Sequence, residues 1–179
     1  LPISRDGGDT WEKLGPKPEG DGKSNGLPAG PYGKVCVAVA PSDSRRVYAM
    51  IEAEKGGLYA STDGGESWTL ASDAASIRRR PWYFSTLTID PKNANVVWAP
   101  NVPLRSLDGG KNFEAVKGTH HADHHDCWID PKNPRRMIVA NDGGVDVSTD
   151  GGKSWYAAPL PIAQFYHIAC DNSVPYRVM

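Results

Sequence analysis

Apolar residues in this chain fall in short runs of strand length, separated by clusters of Gly, Pro, Asp and Asn. Lys34–Ala40 (KVCVAVA) is β-branched and apolar, and Pro41-Ser42-Asp43 stops it. Arg46–Ala53 (RVYAMIEA) predicts a second strand. The turn Glu54-Lys55-Gly56-Gly57 leads to a third at Leu58-Tyr59-Ala60, and Trp68-Thr69-Leu70 opens a fourth. The same order recurs in Tyr83–Asp90, Asn95–Ala99, Leu104–Ser106 and Phe113–Val116. It recurs again in Cys127–Asp130, Arg136–Ala140, Val145–Ser148 and Trp155–Ala157. The turn Asp90-Pro91-Lys92-Asn93 reappears almost letter for letter as Asp130-Pro131-Lys132-Asn133. Phe165–Cys170 reads as the first strand of a further unit and Trp11–Leu14 as the last strand of an earlier one. No segment has the 3.6-residue apolar period of a helix.

Superimposed on these strands is one phrase repeated four times: Ser-x-Asp-Gly-Gly, two more residues, then a large aromatic. The copies begin at Ser4, Ser61, Ser106 and Ser148 and end at Trp11, Trp68, Phe113 and Trp155. Asp6, Asp63, Asp108 and Asp150 can each bond the backbone amides that follow, and the glycines open positive φ angles closed to other residues. The aromatic fills apolar space between neighbouring sheets. Spacings of 57, 45 and 42 residues, with four strands to each unit, predict an all-β fold, a β-propeller of four-stranded antiparallel blades. The expected layout is three complete blades at 34–72, 83–117 and 127–158, with partial blades at 1–14 and 165–179. Such a set does not close a ring, so the chain is expected to be a fragment whose partner is the remainder of a larger parent chain. Gly15–Gly33 is read as an insertion between blades.

Composition narrows the function. The formal net charge is −1 and the charges are interspersed, which argues against a nucleic-acid partner. No stretch approaches the ~20 apolar residues that span a bilayer. The cysteines, Cys36, Cys127 and Cys170, are odd in number and unpaired in spacing, so they read as small apolar residues.

Propeller geometry places the boxes on one face. Connections between blades, and turns between second and third strands, lie on the other face around the channel. There the densest chemistry is Thr119-His120-His121-Ala122-Asp123-His124-His125-Asp126. Imidazole and carboxylate together suit a divalent metal or acid–base work near neutral pH. His121, His124, His125 and Asp126 are the candidate ligands; hydrogen bonding that pins the blade junction is the alternative. Asp142, in Asn141-Asp142-Gly143-Gly144, and Glu54, in the equivalent turn, are the candidate catalytic carboxylates, although Asx-Gly-Gly also suits a tight hairpin. Arg79, Arg80, Trp82 and Tyr83 form a candidate ligand-binding segment, because aromatics stack on sugars and arginines pair with carboxylates. A solvated basic patch is the plainer alternative. His167 reads as a core residue.

The boxes resemble the Asp box, or BNR repeat, of sialidases and related propellers. The run from His124 to Pro134, with Asn141–Gly144, Ser148–Trp155 and Leu160–His167, resembles bacterial BNR-repeat proteins described as sortilin-like or glycosyl-hydrolase-like. That resemblance implies export, hence a secreted, periplasmic or cell-surface location. Xyloglucanase-type endoglucanases carry a catalytic Asp in a similar turn, which implies an acid or base role for Asp142. Sortilin-type receptors bind peptides on a propeller without catalysis. The leading expectation is therefore an extracytoplasmic propeller that binds a polysaccharide, another polymer or a protein. The alternatives are a glycoside hydrolase using Asp142, and a metal-dependent hydrolase built on His120–Asp126.

Overall fold

The structure, a computed structural model, describes residues 1–15, 25–83, 86–99, 103–159 and 168–178. A two-stranded hairpin, β1 (Pro2–Ile3) and β2 (Glu12–Lys13), precedes three four-stranded antiparallel sheets. The first sheet holds β3 (Val35–Ala40), β4 (Asp43–Ile51), β5 (Gly57–Ser61) and β6 (Thr69–Ser72). The second holds β7 (Thr88–Ile89), β8 (Val97–Ala99), β9 (Leu104–Ser106) and β10 (Glu114–Ala115). The third holds β11 (His124–Ile129), β12 (Met137–Asn141), β13 (Gly144–Ser148) and β14 (Tyr156–Ala157). Within each sheet the strands lie in chain order, so every connection is a simple turn. No helix occurs among the described residues.

Strand alternation produces the stacking. On β4, Val47, Ala49 and Ile51 point toward the hairpin, where they meet Leu1, Leu14, Leu27, Tyr59 and Trp68. The intervening Tyr48 and Met50 point the other way, joining Leu58, Ile89, Val97 and Leu104 between the first and second sheets. Trp98 carries the stack onward to Cys127, Ile129, Met137 and Val139 of the third sheet. Polar contacts follow the same order. The Tyr48 hydroxyl donates to the Ala94 carbonyl at 2.7 Å, and the Thr88 hydroxyl donates to the Cys127 carbonyl at 2.9 Å. The first strands of the three sheets adjoin in series, β3 beside β7 and β7 beside β11.

All four boxes close alike. The box serine hydroxyl donates to the box aspartate at 2.7–2.9 Å and accepts the amide of the second glycine at 2.7–2.9 Å. The aspartate also binds the residue just before the aromatic, which is Thr10, Ser67, Asn112 or Ser154. The second glycine is obligatory where it faces the preceding sheet. A Cβ on Gly152 would stand 2.7 Å from Trp98, and one on Gly110 would stand 2.4 Å from Leu58. The aromatics divide by context: Trp68 is 5% exposed, Phe113 and Trp155 are half-buried, and Trp11 is 65% exposed.

Several boundaries differ from expectation. Of the strand expected over Tyr83–Asp90, residues 84–85 lie outside the described residues and Thr88–Ile89 forms a strand. Pro81–Tyr83 is a turn that follows a positive φ of 48° at Arg80 and closes with the Tyr83 amide on the Arg80 carbonyl. The strand expected from Cys127 instead begins at His124, drawing two loop histidines into the ladder. Of the expected further strand, residues 165–167 lie outside the described residues, as does His167. Beyond them Cys170 bridges Val178 antiparallel.

Candidate functional site

Three segments meet on the face opposite the boxes: the approach to β7 (77–83), the histidine segment entering β11, and the β12–β13 turn carrying Asp142. His125 on β11 points outward, and its Nε2–H donates to Asp142 Oδ1 at 2.7 Å. The edge of the Tyr83 ring meets the His125 ring at 5.5 Å and 80°. Trp82 leans on Tyr83 at 5.8 Å, and the Arg80 guanidinium lies 5.6 Å from both ring centres. Arg80 also pairs with Asp123 at 3.7 Å, and Lys34 Nζ donates to the Tyr83 carbonyl at 2.8 Å. Arg80 and Asp123 (φ 55°) are the only non-glycine residues with positive φ among those described. Such conformations cost of order 1–3 kcal/mol and gather where a surface is built for a purpose. Trp82 and Tyr83 nonetheless keep 60% and 50% of their surface in solvent.

The candidate ligand-binding residues Arg80, Trp82 and Tyr83 thus become continuous with the His125–Asp142 pair, a link no sequence pattern announced. Arg79 is exposed beside them. Glu54 sits exposed in the β4–β5 turn, two sheets from Asp142.

The metal set is not assembled. A register shift between His124 and Asp126 interrupts the alternation of β11, so His124 is buried at 1% exposure while His125 and Asp126 both face out. The His121 ring turns back to the Ala122 carbonyl at 2.7 Å, and Asp126 caps the Cys127 amide at 2.8 Å. Among the described residues no group of three or more His, Cys, Asp or Glu is arranged to hold a metal ion. Burial pushes the Cys127 thiol up to about 12, which keeps it inert.

Beneath the turn lies a polar group that the sequence reading passed over. Asp146, on β13 and wholly buried, accepts from His120 Nδ1 at 2.7 Å and from Asn141 Nδ2 at 2.8 Å. This carboxylate, and then the Gly143 carbonyl 3.0 Å from Nε2, raise the His120 pKa above the ordinary imidazole value. With an acceptor at each ring nitrogen, His120 is best satisfied as an imidazolium.

A family model for the BNR/Asp-box repeat matches residues 3–13, 59–70 and 146–157. These are BNR/Asp-box repeats. The box at Ser106–Phe113 repeats their hydrogen bonds with Phe in place of Trp. The fold is similar to that of the GH74 enzyme of Niastella koreensis (TM-score 0.55, 18% identity, covering 69% of this chain and 22% of that one). An ancestral GH74 enzyme gives TM-score 0.54 at 20% identity, over 83% of this chain and 20% of the other. The GH74 xyloglucanase of Xanthomonas campestris gives 0.50 at 18% identity, over 75% and 24%. The chain thus spans a quarter or less of these enzymes' length, and the likeness establishes a BNR-repeat β-propeller fold. No curated protein matches the sequence. Among the described residues no helix is long and apolar enough to cross a membrane.

Proposed function

We propose that this BNR-repeat propeller is extracytoplasmic and binds a glycan polymer on the face that carries Trp82, Tyr83, His125 and Asp142. Its blades are taken as 34–72, 83–117 and 127–158, flanked by partial blades at 1–14 and 165–179, all belonging to a larger ring. One observation carries the reading. Two adjacent aromatic rings stay more than half or half exposed beside a hydrogen-bonded imidazole–carboxylate pair. Aromatic faces take the apolar faces of sugar rings, while carboxylate, imidazole and guanidinium groups take hydroxyls. A solvated basic patch would have no need of such a platform.

The test is binding of xyloglucan, named for the substrate of a structural neighbour, followed calorimetrically on the full-length protein. Trp82→Ala is expected to weaken binding about tenfold, the worth of one stacking ring. Equal affinity in wild type and variant, or no binding at all to this polymer and to other soluble glucans, would sink the reading in favour of a protein partner.

A second reading, hydrolysis with Asp142 as acid or base, is favoured by the position of Asp142 and by the fold's likeness to GH74 enzymes. Glycoside hydrolysis needs two carboxylates roughly 5–9.5 Å apart across the bond. Glu54, two sheets away, does not sit beside Asp142, so a partner would have to come from elsewhere in the ring. Release of reducing ends that disappears in Asp142→Asn would establish this reading.

A further inference from the structure

We propose that Asp146 is the positioning residue of this site: through His120 and Asn141 it holds the Asp142 turn so that Asp142 meets His125. The inference rests on the reading of that face as the binding face, but its geometry stands independently.

Asp146 is anomalous within the repeat. It lies two residues before the box serine Ser148, and the same position holds Tyr59 before Ser61 and Leu104 before Ser106. Those neighbours serve apolar packing. Two further positions change with it. Asn141 pairs with Gly144 where Ile51 pairs with Gly57, and His124 pairs with Asn141 where Val35 pairs with Ile51. The third sheet has therefore exchanged apolar side chains for Asp146, Asn141 and His124, each at least nine-tenths buried. A buried carboxylate costs several kcal/mol unless paired and hydrogen-bonded, so such an exchange calls for a purpose other than stability.

The hydrogen bonds indicate the purpose. Asp146 Oδ2 accepts from Asn141 Nδ2 at 2.8 Å, which turns Asn141 Oδ1 to accept the Gly143 amide at 3.0 Å. Asp146 Oδ1 accepts from His120 Nδ1 at 2.7 Å and from the His120 amide at 3.3 Å. His120 Nε2–H in turn reaches the Gly143 carbonyl at 3.0 Å. One carboxylate thus orders both side chains that grip Gly143, one by its N–H and one by its C=O. Gly143 adjoins Asp142, and only glycine fits: a Cβ there would stand 2.7 Å from His120 Nε2 and 3.0 Å from His121 Cβ. The other titratable groups facing the cluster are His121, whose ring lies 6.4 Å from that of His120, and His124, whose Nε2 lies 3.5 Å from Asn141 Nδ2.

The test reads the site without a ligand. In the full-length protein, imidazole ¹⁵N–¹H spectra report the His125 Nε2–H held by Asp142, and hydrogen exchange reports the Gly143 amide. Asp146→Asn should abolish the protected His125 signal. It should also speed Gly143 exchange at least about tenfold, the effect of losing a charge-assisted hydrogen bond. Tyr59→Phe, which removes a buried hydroxyl from the corresponding position of the first sheet, should leave both readouts unchanged. Should Asp146→Asn not fold, His120→Ala decides, since His120 lies at the surface and Asn141 still reaches the carboxylate. A folded Asp146→Asn or His120→Ala protein with an unaltered His125 signal and Gly143 exchange would overturn the proposal. If these readouts move as expected but xyloglucan affinity is indifferent to Trp82→Ala, the positioning role stands and the glycan reading falls.

Discussion

The two faces of these sheets are built by different rules. On the box face, four turns spread along the chain close with the same serine, aspartate and glycine bonds, while the residue after the serine, the two residues before the aromatic and the aromatic itself vary. On the opposite face, two equivalent turns share a Gly-Gly pair and little else. The Glu54 turn is held by the Tyr59 hydroxyl donating to the Lys55 carbonyl at 2.7 Å and by Arg78 on the Gly56 carbonyl at 3.1 Å. The Asp142 turn is held by a buried carboxylate acting through His120 and Asn141. Repetition marks what folds the chain; departure from it marks where a site can be built.

The largest effect expected on the box side comes from Trp68→Ala, which empties the space between hairpin and first sheet and should cost about 3–5 kcal/mol by chemical denaturation. Trp11→Ala, the same box residue in a solvent-exposed setting, should cost under about 0.5 kcal/mol. Similar losses for the two would mean that the box aromatic acts through its own turn and not through the interface.

Acid should reach the box face next. The Ser67 hydroxyl, with the Ser67 amide and the Ser61 hydroxyl, lowers Asp63 from 3.8 to about 2. Asp6, Asp108 and Asp150 are depressed by corresponding bonds, led by Thr10, Asn112 and Ser154. A carboxyl depressed in the folded state contributes stability above its unfolded value and loses it as pH falls through the folded value. Melting temperature should therefore hold down to the ordinary carboxylate range and drop from there toward about pH 2. Asp63→Asn should make that drop shallower. A drop as steep in the variant would remove the box carboxylates as its cause.

The opposite face should respond to base, and more weakly. His120 is raised by Asp146 first and the Gly143 carbonyl second, so its contribution is complete below the ordinary imidazole value of 6.5. That contribution fades as pH rises through the raised folded value. With the intrinsic base-catalysed acceleration divided out, the protection of the Gly143 amide should fall over that interval in wild type and be independent of pH in His120→Ala. Smallest of all, Asp142→Ala should leave the melting temperature where it was, because Asp142 lies at the surface and supports no core. A clear loss would make the Asp142 turn part of the folding apparatus and blur the contrast between faces.

Most of the fold was legible because its signals are local. Ser, Asp and Gly at fixed offsets within one turn, and β-branched runs between Pro-Asp stops, need no tertiary knowledge. The site was legible only in pieces. His125 with Asp142 followed from their place on one face, but the meeting of Tyr83 with His125 depends on a backbone reversal at Arg80 that no motif encodes. Four imidazoles close in sequence look convergent, whereas a strand that starts at His124 with an irregular register before Asp126 buries His124 and leaves His125 partly exposed. Asp146 escaped notice for a similar reason. In Val145-Asp146-Val147 an alternating strand suggests a polar residue turned to solvent, and only the third sheet's register puts that residue inside.

Two tryptophans test the division of faces most directly. Trp82 and Trp11 are 60% and 65% exposed, one beside His125 and Asp142 and the other in a box turn. Titrating xyloglucan oligosaccharides into ¹⁵N-labelled full-length protein and following both indole N–H signals compares the faces in a single sample. The account predicts that the Trp82 indole moves in a saturable way together with the His125 ring, while the Trp11 indole stays still. Movement of Trp11 with Trp82 unchanged would contradict it.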